Sequence, residues 1–174
     1  GIIYLRKAIR LIEPRASLSN RNYAFFTIQA YSNLYYNYES TGDITGQKAI
    51  LYHLLDFIEP YSKADSVGFG AYKAAFFSNM GMFCLAENRI DSAEYYISGA
   101  FEYFHHNINI IQADKNTVSK ALFLKNNLLL KQEKYAEALS LNRKLLNEFI
   151  QLEKLNKLNY EDFVPQVKSQ LAEV

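Results

Sequence analysis

Three short breakers constrain this chain more than anything else in it. Thr41-Gly42-Asp43, Glu87-Asn88-Arg89 and Gln132-Glu133-Lys134 each interrupt a long mixed stretch, and each is followed at once by an apolar residue: Ile44, Ile90 and Tyr135. Those three residues stand 46 and 45 positions apart. Gly and Asn suit the left-handed residue that closes a helix. The spacing therefore predicts helix, tight turn, helix, three times over, with equivalent turns at Gly42, Asn88 and Glu133. A fixed period of this length is the mark of a repeat architecture.

The flanking stretches carry helical periodicity. After the second breaker, Ile90, Ala93, Ile97, Ala100, Phe101 and Phe104 recur at three- and four-residue steps, and after the third so do Ala138, Leu141, Leu145, Leu146 and Phe149. Before the breakers, apolar helices are expected near Asn20–Ser40, Gly68–Ala86 and Asn116–Lys131, the last capped by Asp114 or Asn116. No stretch alternates with a period of two beyond a few residues, so no strand is predicted. Ser62–Gly70 and Asn107–Asp114 are the expected connections. A last short helix is expected from Phe163 to Ala172, with Pro165 tolerated in its first turn.

Two segments, Tyr4–Pro14 and Ile50–Pro60, both close on Ile-Glu-Pro, 46 residues apart. The first therefore matches the second helix of a pair whose first helix is missing, and the chain is expected to begin inside a longer array. That orphan helix should expose Tyr4, Leu5, Ala8 and Ile12, a face that would either self-associate or fray. The expected organisation is a single repeat domain over 1–174. It comprises an orphan helix at 1–14, units at 17–60, 66–106 and 114–157, and a terminal helix at 160–174.

The second unit resembles the tetratricopeptide repeat. Phe77, Met80, Gly81 and Cys84 precede the turn at Asn88, and Ile90, Ala93, Ile97 and Ala100 follow it. The matching positions of the first unit are Tyr31, Leu34, Tyr35, Tyr38, Gly42, Ile44, Gln47, Leu51 and Leu54. In the third they are Leu122, Lys125, Asn126, Leu129, Glu133, Tyr135, Ala138, Asn142 and Leu145. Tyr35, Gln47 and Asn126 stand where the family keeps small residues. The period also exceeds the family's usual length of about 34 and lies in the range of HEAT and armadillo units. The resemblance implies an all-α, right-handed alpha-alpha superhelix of antiparallel helix pairs, with Ala93 a close-packing point in the second.

Little in the sequence points to chemistry. The 19 basic and 18 acidic residues nearly cancel, and nucleic-acid recognition normally needs a basic stripe. No apolar run approaches the roughly 20 residues of a membrane span. His105 and His106 are adjacent, so on a helix they point about 100° apart and cannot chelate one metal as an i, i+4 pair does. His53 reads as a surface or structural residue. Cys84 lies on the expected buried face beside Met80, whereas a reactive thiol needs an electropositive, partly open setting. Gly68–Lys73 and Gly42–Lys48 imitate phosphate loops but lack the strand and the glycine spacing. No catalytic, metal or cofactor residue is predicted, and an all-helical enzyme is the least favoured reading.

In the tetratricopeptide family one face of the first helices lines a groove that binds extended peptides or partner helices. Carried over, the resemblance places Gln29, Ser32, Asn33 and Tyr36 on that face in the first unit. The second contributes Ala75, Ser78, Asn79 and Met82, and the third Lys120, Phe123, Leu124 and Asn127. Asn33 and Asn79 share a repeat position, and their amides suit a peptide backbone. The resulting expectation is a non-catalytic module that binds a protein or peptide, with no nucleic-acid role. The alternative is a sensory or regulatory segment of a larger bacterial signalling protein or transcription regulator.

Overall fold

The computed structural model describes residues 1–107, 115–154 and 169. They are helical throughout, with no strand among them: α1 (Ile2–Ile12), a 3-10 turn (Glu13–Arg15), α2 (Arg21–Thr41), α3 (Ile44–Ala64), α4 (Gly68–Ala86), α5 (Ile90–Asn107), α6 (Lys115–Lys131) and α7 (Tyr135–Lys154). The expected cap at Asp114, most of the 107–114 connection and most of the terminal helix at 163–172 lie outside what is described, while Asn116, the other expected cap, falls within α6 and not before it. The chain forms two compact units, Gly1–Met80 and Gly81–Val174, with the boundary inside α4.

The three turns share one hydrogen-bonding scheme. Gly42, Asn88 and Glu133 have φ of 70°, 55° and 58°. In each turn the left-handed residue's N–H and that of the next residue reach back into the preceding helix. Gly42 N–H donates to Glu39 at 3.1 Å and Asp43 N–H to Tyr38 at 2.9 Å. Asn88 and Arg89 donate likewise to Leu85 and Cys84, and Glu133 and Lys134 to Leu130 and Leu129. This is the Schellman closure. The residue after the left-handed one then starts the next helix, its carbonyl accepting from Gln47, Ala93 or Ala138. The expected equivalence at Gly42, Asn88 and Glu133 is thus present in the backbone. Glu133 adopts the conformation without glycine's freedom, which costs an L-residue roughly 1–2 kcal/mol.

In the Gly1–Met80 unit, α1 and α3 both pack on α2. The core gathers Ile9, Ile28, Leu34, Leu51, Leu54, Ile58 and Phe69, all nearly inaccessible. Phe25 stacks on Phe69 at 4.2 Å between ring centres, and Tyr61 meets Phe69 at 5.3 Å. Lys73 of α4 pairs with Glu59 of α3, and the carboxyl of Glu59 is held below the ordinary range chiefly by that hydrogen bond.

Three expectations need correction in this unit. The covered side of α1 runs through Ile2, Leu5, Ile9 and Ile12, so Leu5, Ala8 and Ile12 are half-buried. The exposed apolar residues are Ile3, Tyr4 and Leu11. The two Ile-Glu-Pro segments also differ. Pro14 sits in the 3-10 turn that ends α1, whereas α3 continues through Pro60 to Ala64. The next residues, Tyr61 and Ser62, are buried, so packing holds the last turn although a proline removes one helical hydrogen bond. The loop at 62–70 consequently shrinks to Asp65–Val67, with Asp65 Oδ1 accepting from Gly68 N at 2.9 Å.

In the Gly81–Val174 unit, Cys84, Leu85, Ala93, Ile97, Leu124 and Leu128 form one cluster. A Cβ on Gly81 would fall inside the Ile97 side chain, so glycine is what lets α4 and α5 approach. Ala93 and Ala100 are fully buried beside that contact. The positions matching Gly81 and Ile97 carry Asn126 and Asn142 on α6 and α7. Asn142 Nδ2 donates to Asn126 Oδ1 at 3.0 Å, both residues being wholly inaccessible. In the first unit the same positions hold Tyr35 and Leu51, also buried.

Candidate functional site

Helix α2 owes its orientation to the neighbours on both sides. Ala24, Thr27, Ile28, Tyr31, Leu34, Tyr35 and Tyr38 are buried. Between them runs a narrow row, Asn22, Phe26, Gln29, Asn33, Tyr36 and Ser40, exposed at every position, with the exposed Arg21, Glu39 and Thr41 beside its two ends. The steps of three and four residues place them in one row. The six residues of the row are themselves uncharged, and its two rings are 62% and 60% exposed. From Asn22 to Ser40 it runs about 27 Å at 1.5 Å per residue.

The expected binding residues divide accordingly. Gln29, Asn33 and Tyr36 lie on this stripe, and Ser32 is half-buried at its border. On α4, Ala75, Asn79 and Met82 are half-buried, Met82 lying against the Ile97 cluster. Ser78 is 1% exposed, and its hydroxyl donates to Ala74 C=O at 3.1 Å, so it is a core residue and not a surface one. On α6, Phe123 is half-exposed, Lys120 and Asn127 are half-buried, and Leu124 is buried. Lys120 and Asn79 both have partners of their own. Of the carried-over positions, three of the four on α2 are exposed, whereas those on α4 and most of those on α6 are half-buried or buried, because different residues there have been drawn into the core. Sequence reasoning missed Phe26 and Asn22. Their signal was present: they continue the Gln29, Asn33, Tyr36 steps toward the N-terminus.

The chemically richest cluster links α1's end to α2 and α3. Glu13 Oε2 accepts from Tyr31 OH at 2.9 Å, and Glu13 Oε1 meets His53 Nε2 at 2.7 Å. The Tyr31 and His53 rings lie 4.6 Å apart. Burial, then the hydrogen bond and charge of Glu13, push the Tyr31 phenol above its ordinary value. The arrangement ties three elements together, so His53 serves the fold. Among the described residues no group of His, Cys, Asp and Glu assembles a metal site, and no helix is long and apolar enough to cross a membrane. Comparison with protein families, with curated proteins and with solved structures finds no match.

Proposed function

We propose that this chain is a non-catalytic helical module that binds an extended peptide segment of a partner protein along α2. The observation that carries the reading is the uncharged exposed stripe of Asn22, Phe26, Gln29, Asn33, Tyr36 and Ser40. Side-chain amides both donate and accept, which matches the alternating groups of a peptide backbone without reading its sequence. Aromatic rings supply large, rigid contact area at modest entropic cost, which is why they dominate binding surfaces. A length of about 27 Å suits about eight residues of extended chain at ~3.3 Å each. The three equivalent turns support the tetratricopeptide-like, lengthened-repeat reading, in which first helices offer such faces.

The test is selection from a displayed library of random peptides by the whole chain. Recovered peptides should be uncharged at their centre, with apolar side chains spaced to reach both rings. The triple variant F26S/N33A/Y36S should lose them while melting as the parent does, since exposed positions contribute little to stability. Recovery of the same peptides by the triple variant would refute the assignment of α2.

A further inference from the structure

A second site opens on the other side of α2, where α1 and α3 rest on it without closing over it. The gap is a groove of about 550 Å³, within the range of small-molecule sites. Ile9, Leu34, Ala49 and Ile50 give it an apolar floor and wall, while Arg6, Arg10, Glu13 and Asp43 bring charge to it. None of its lining residues belongs to the exposed stripe, so the site stands independently of the peptide-binding reading.

The charges in the groove are unequally engaged. Both oxygens of Glu13 are held, by Tyr31 and by His53. Asp43 caps α3, with Oδ1 accepting from Gly46 N at 2.8 Å. The Arg6 guanidinium, by contrast, donates among the described residues only to the neutral hydroxyl of Tyr38. The Arg10 side chain, one turn further along α1, makes neither a hydrogen bond nor an ion pair among the described residues. Two guanidinium forks thus stand in one row over an apolar floor, with no carboxylate assigned to either. That combination suits an oxyanion, which a guanidinium binds bidentately.

The end of the groove is built, too. A Cβ on Gly46 would lie 2.8 Å from the Tyr38 ring and 2.7 Å from Asp43 Oδ2. The missing side chain therefore lets Tyr38 lie flat on α3 and point its hydroxyl at Arg6. We infer that the groove between α1 and α3 binds a small molecule that joins a carboxylate or phosphate to an apolar or aromatic body. Arg6 and Arg10 take the anion, and Ile9, Leu34 and Ile50 take the body. Tyr38 holds Arg6 in place and is a positioning residue.

Titration calorimetry on the whole chain tests this with phenylacetate, phenyl phosphate, inorganic phosphate and the cation tyramine as probes. At least one of the two aromatic oxyanions should bind saturably, and the tighter of them tells carboxylate from phosphate. Arg10→Gln should leave the melting temperature unchanged and weaken that probe about tenfold or more, the order of one charge-assisted contact. The double variant R6Q/R10Q should abolish binding. Failure of both aromatic oxyanions to bind would overturn the inference. So would tyramine or inorganic phosphate binding as tightly as the better of them, or an affinity unmoved by Arg10→Gln.

Discussion

Exchanging the contact between α6 and α7 for the one between α4 and α5 probes how each helix pair is held. Asn126 and Asn142 are wholly buried and joined by one 3.0 Å hydrogen bond, and Asn126 Nδ2 and Asn142 Oδ1 have no partner. Replacing Asn142 by Ile orphans Asn126 Oδ1 as well. It costs about 1–3 kcal/mol for the unmade bond and about 1–3 kcal/mol for an added branched chain against an unshortened neighbour. Replacing Asn126 by Gly orphans Asn142 and adds about 1 kcal/mol for glycine inside a helix. The Asn142 variant should therefore lose about 2–6 kcal/mol and the Asn126 variant about 2–4 kcal/mol. The double variant N126G/N142I removes both amides and rebuilds the Gly81–Ile97 contact, leaving only the helix cost of glycine. It should lie within about 1 kcal/mol of the parent, since replacing both partners by a fitting apolar pair can be nearly neutral. Native-state hydrogen exchange of the buried amides of α6 reads this locally, free of any separate unfolding of the Gly1–Met80 unit. Protection that falls in the double variant by the sum of the two single losses would refute the idea that these positions form one interchangeable contact.

Other consequences are simpler to check. Glu133→Gly should stabilise by about 0.5–1 kcal/mol, because relief of the left-handed strain (roughly 1–2 kcal/mol) exceeds glycine's own entropic cost; Gly42→Ala should destabilise by a similar amount, and urea midpoints decide both. The buried hydroxyl of Tyr35 has no partner, and burial, with lesser contributions from Glu39 and Tyr36, pushes its pKa up to about 12. A raised folded value means its contribution is complete below the unfolded pKa of about 10 and is lost between there and about 12. Tyr35→Phe should thus flatten the alkaline arm of the stability curve without loss at neutral pH, as chemical denaturation across that range will read. Glu59 is depressed by Lys73 and Lys63, so its contribution is present above the unfolded carboxylate pKa and fades as pH falls through the folded one. Lys73→Met should weaken that acid dependence in the same measurement, though modestly, because Glu59 is substantially exposed.

The turns were legible because their closure leaves a local mark: a residue tolerant of positive φ, then an apolar helix start. That held even at Glu133, where shared spacing gave away what residue type hid. Helix ends set by tertiary contacts left no such mark, and Pro60 reads as a stop until the burial of Tyr61 and Ser62 is known. Faces were legible only where a helix keeps a single exposed row. α2 does, and Gln29, Asn33 and Tyr36 lie in it. α4 does not, because so many of its residues are apolar that no period separates Ser78 from the surface. The groove was invisible for another reason. It arises from residues far apart in sequence, Arg6 and Arg10 on one wall and Gly46 on the other, brought together only by their common support on α2.

Three matching pairs of buried positions hold three different chemistries: Tyr35 with Leu51, Gly81 with Ile97, Asn126 with Asn142. During synthesis, similar helices emerge one after another, and chains of similar units tend to misassemble. Were α2 to capture α5, Tyr35 would be driven into the space Ile97 needs glycine to occupy. Were α4 to capture α7, Asn142 would be buried against Gly81 with no amide to bond. The first of these wrong partnerships is overfilled and the second leaves a buried amide wholly unbonded, whereas Gly81 makes room for Ile97 and Asn142 bonds Asn126. The differences among the three contacts therefore work against these two exchanges, each of which would bury a clash or an unbonded amide that the native pairing avoids.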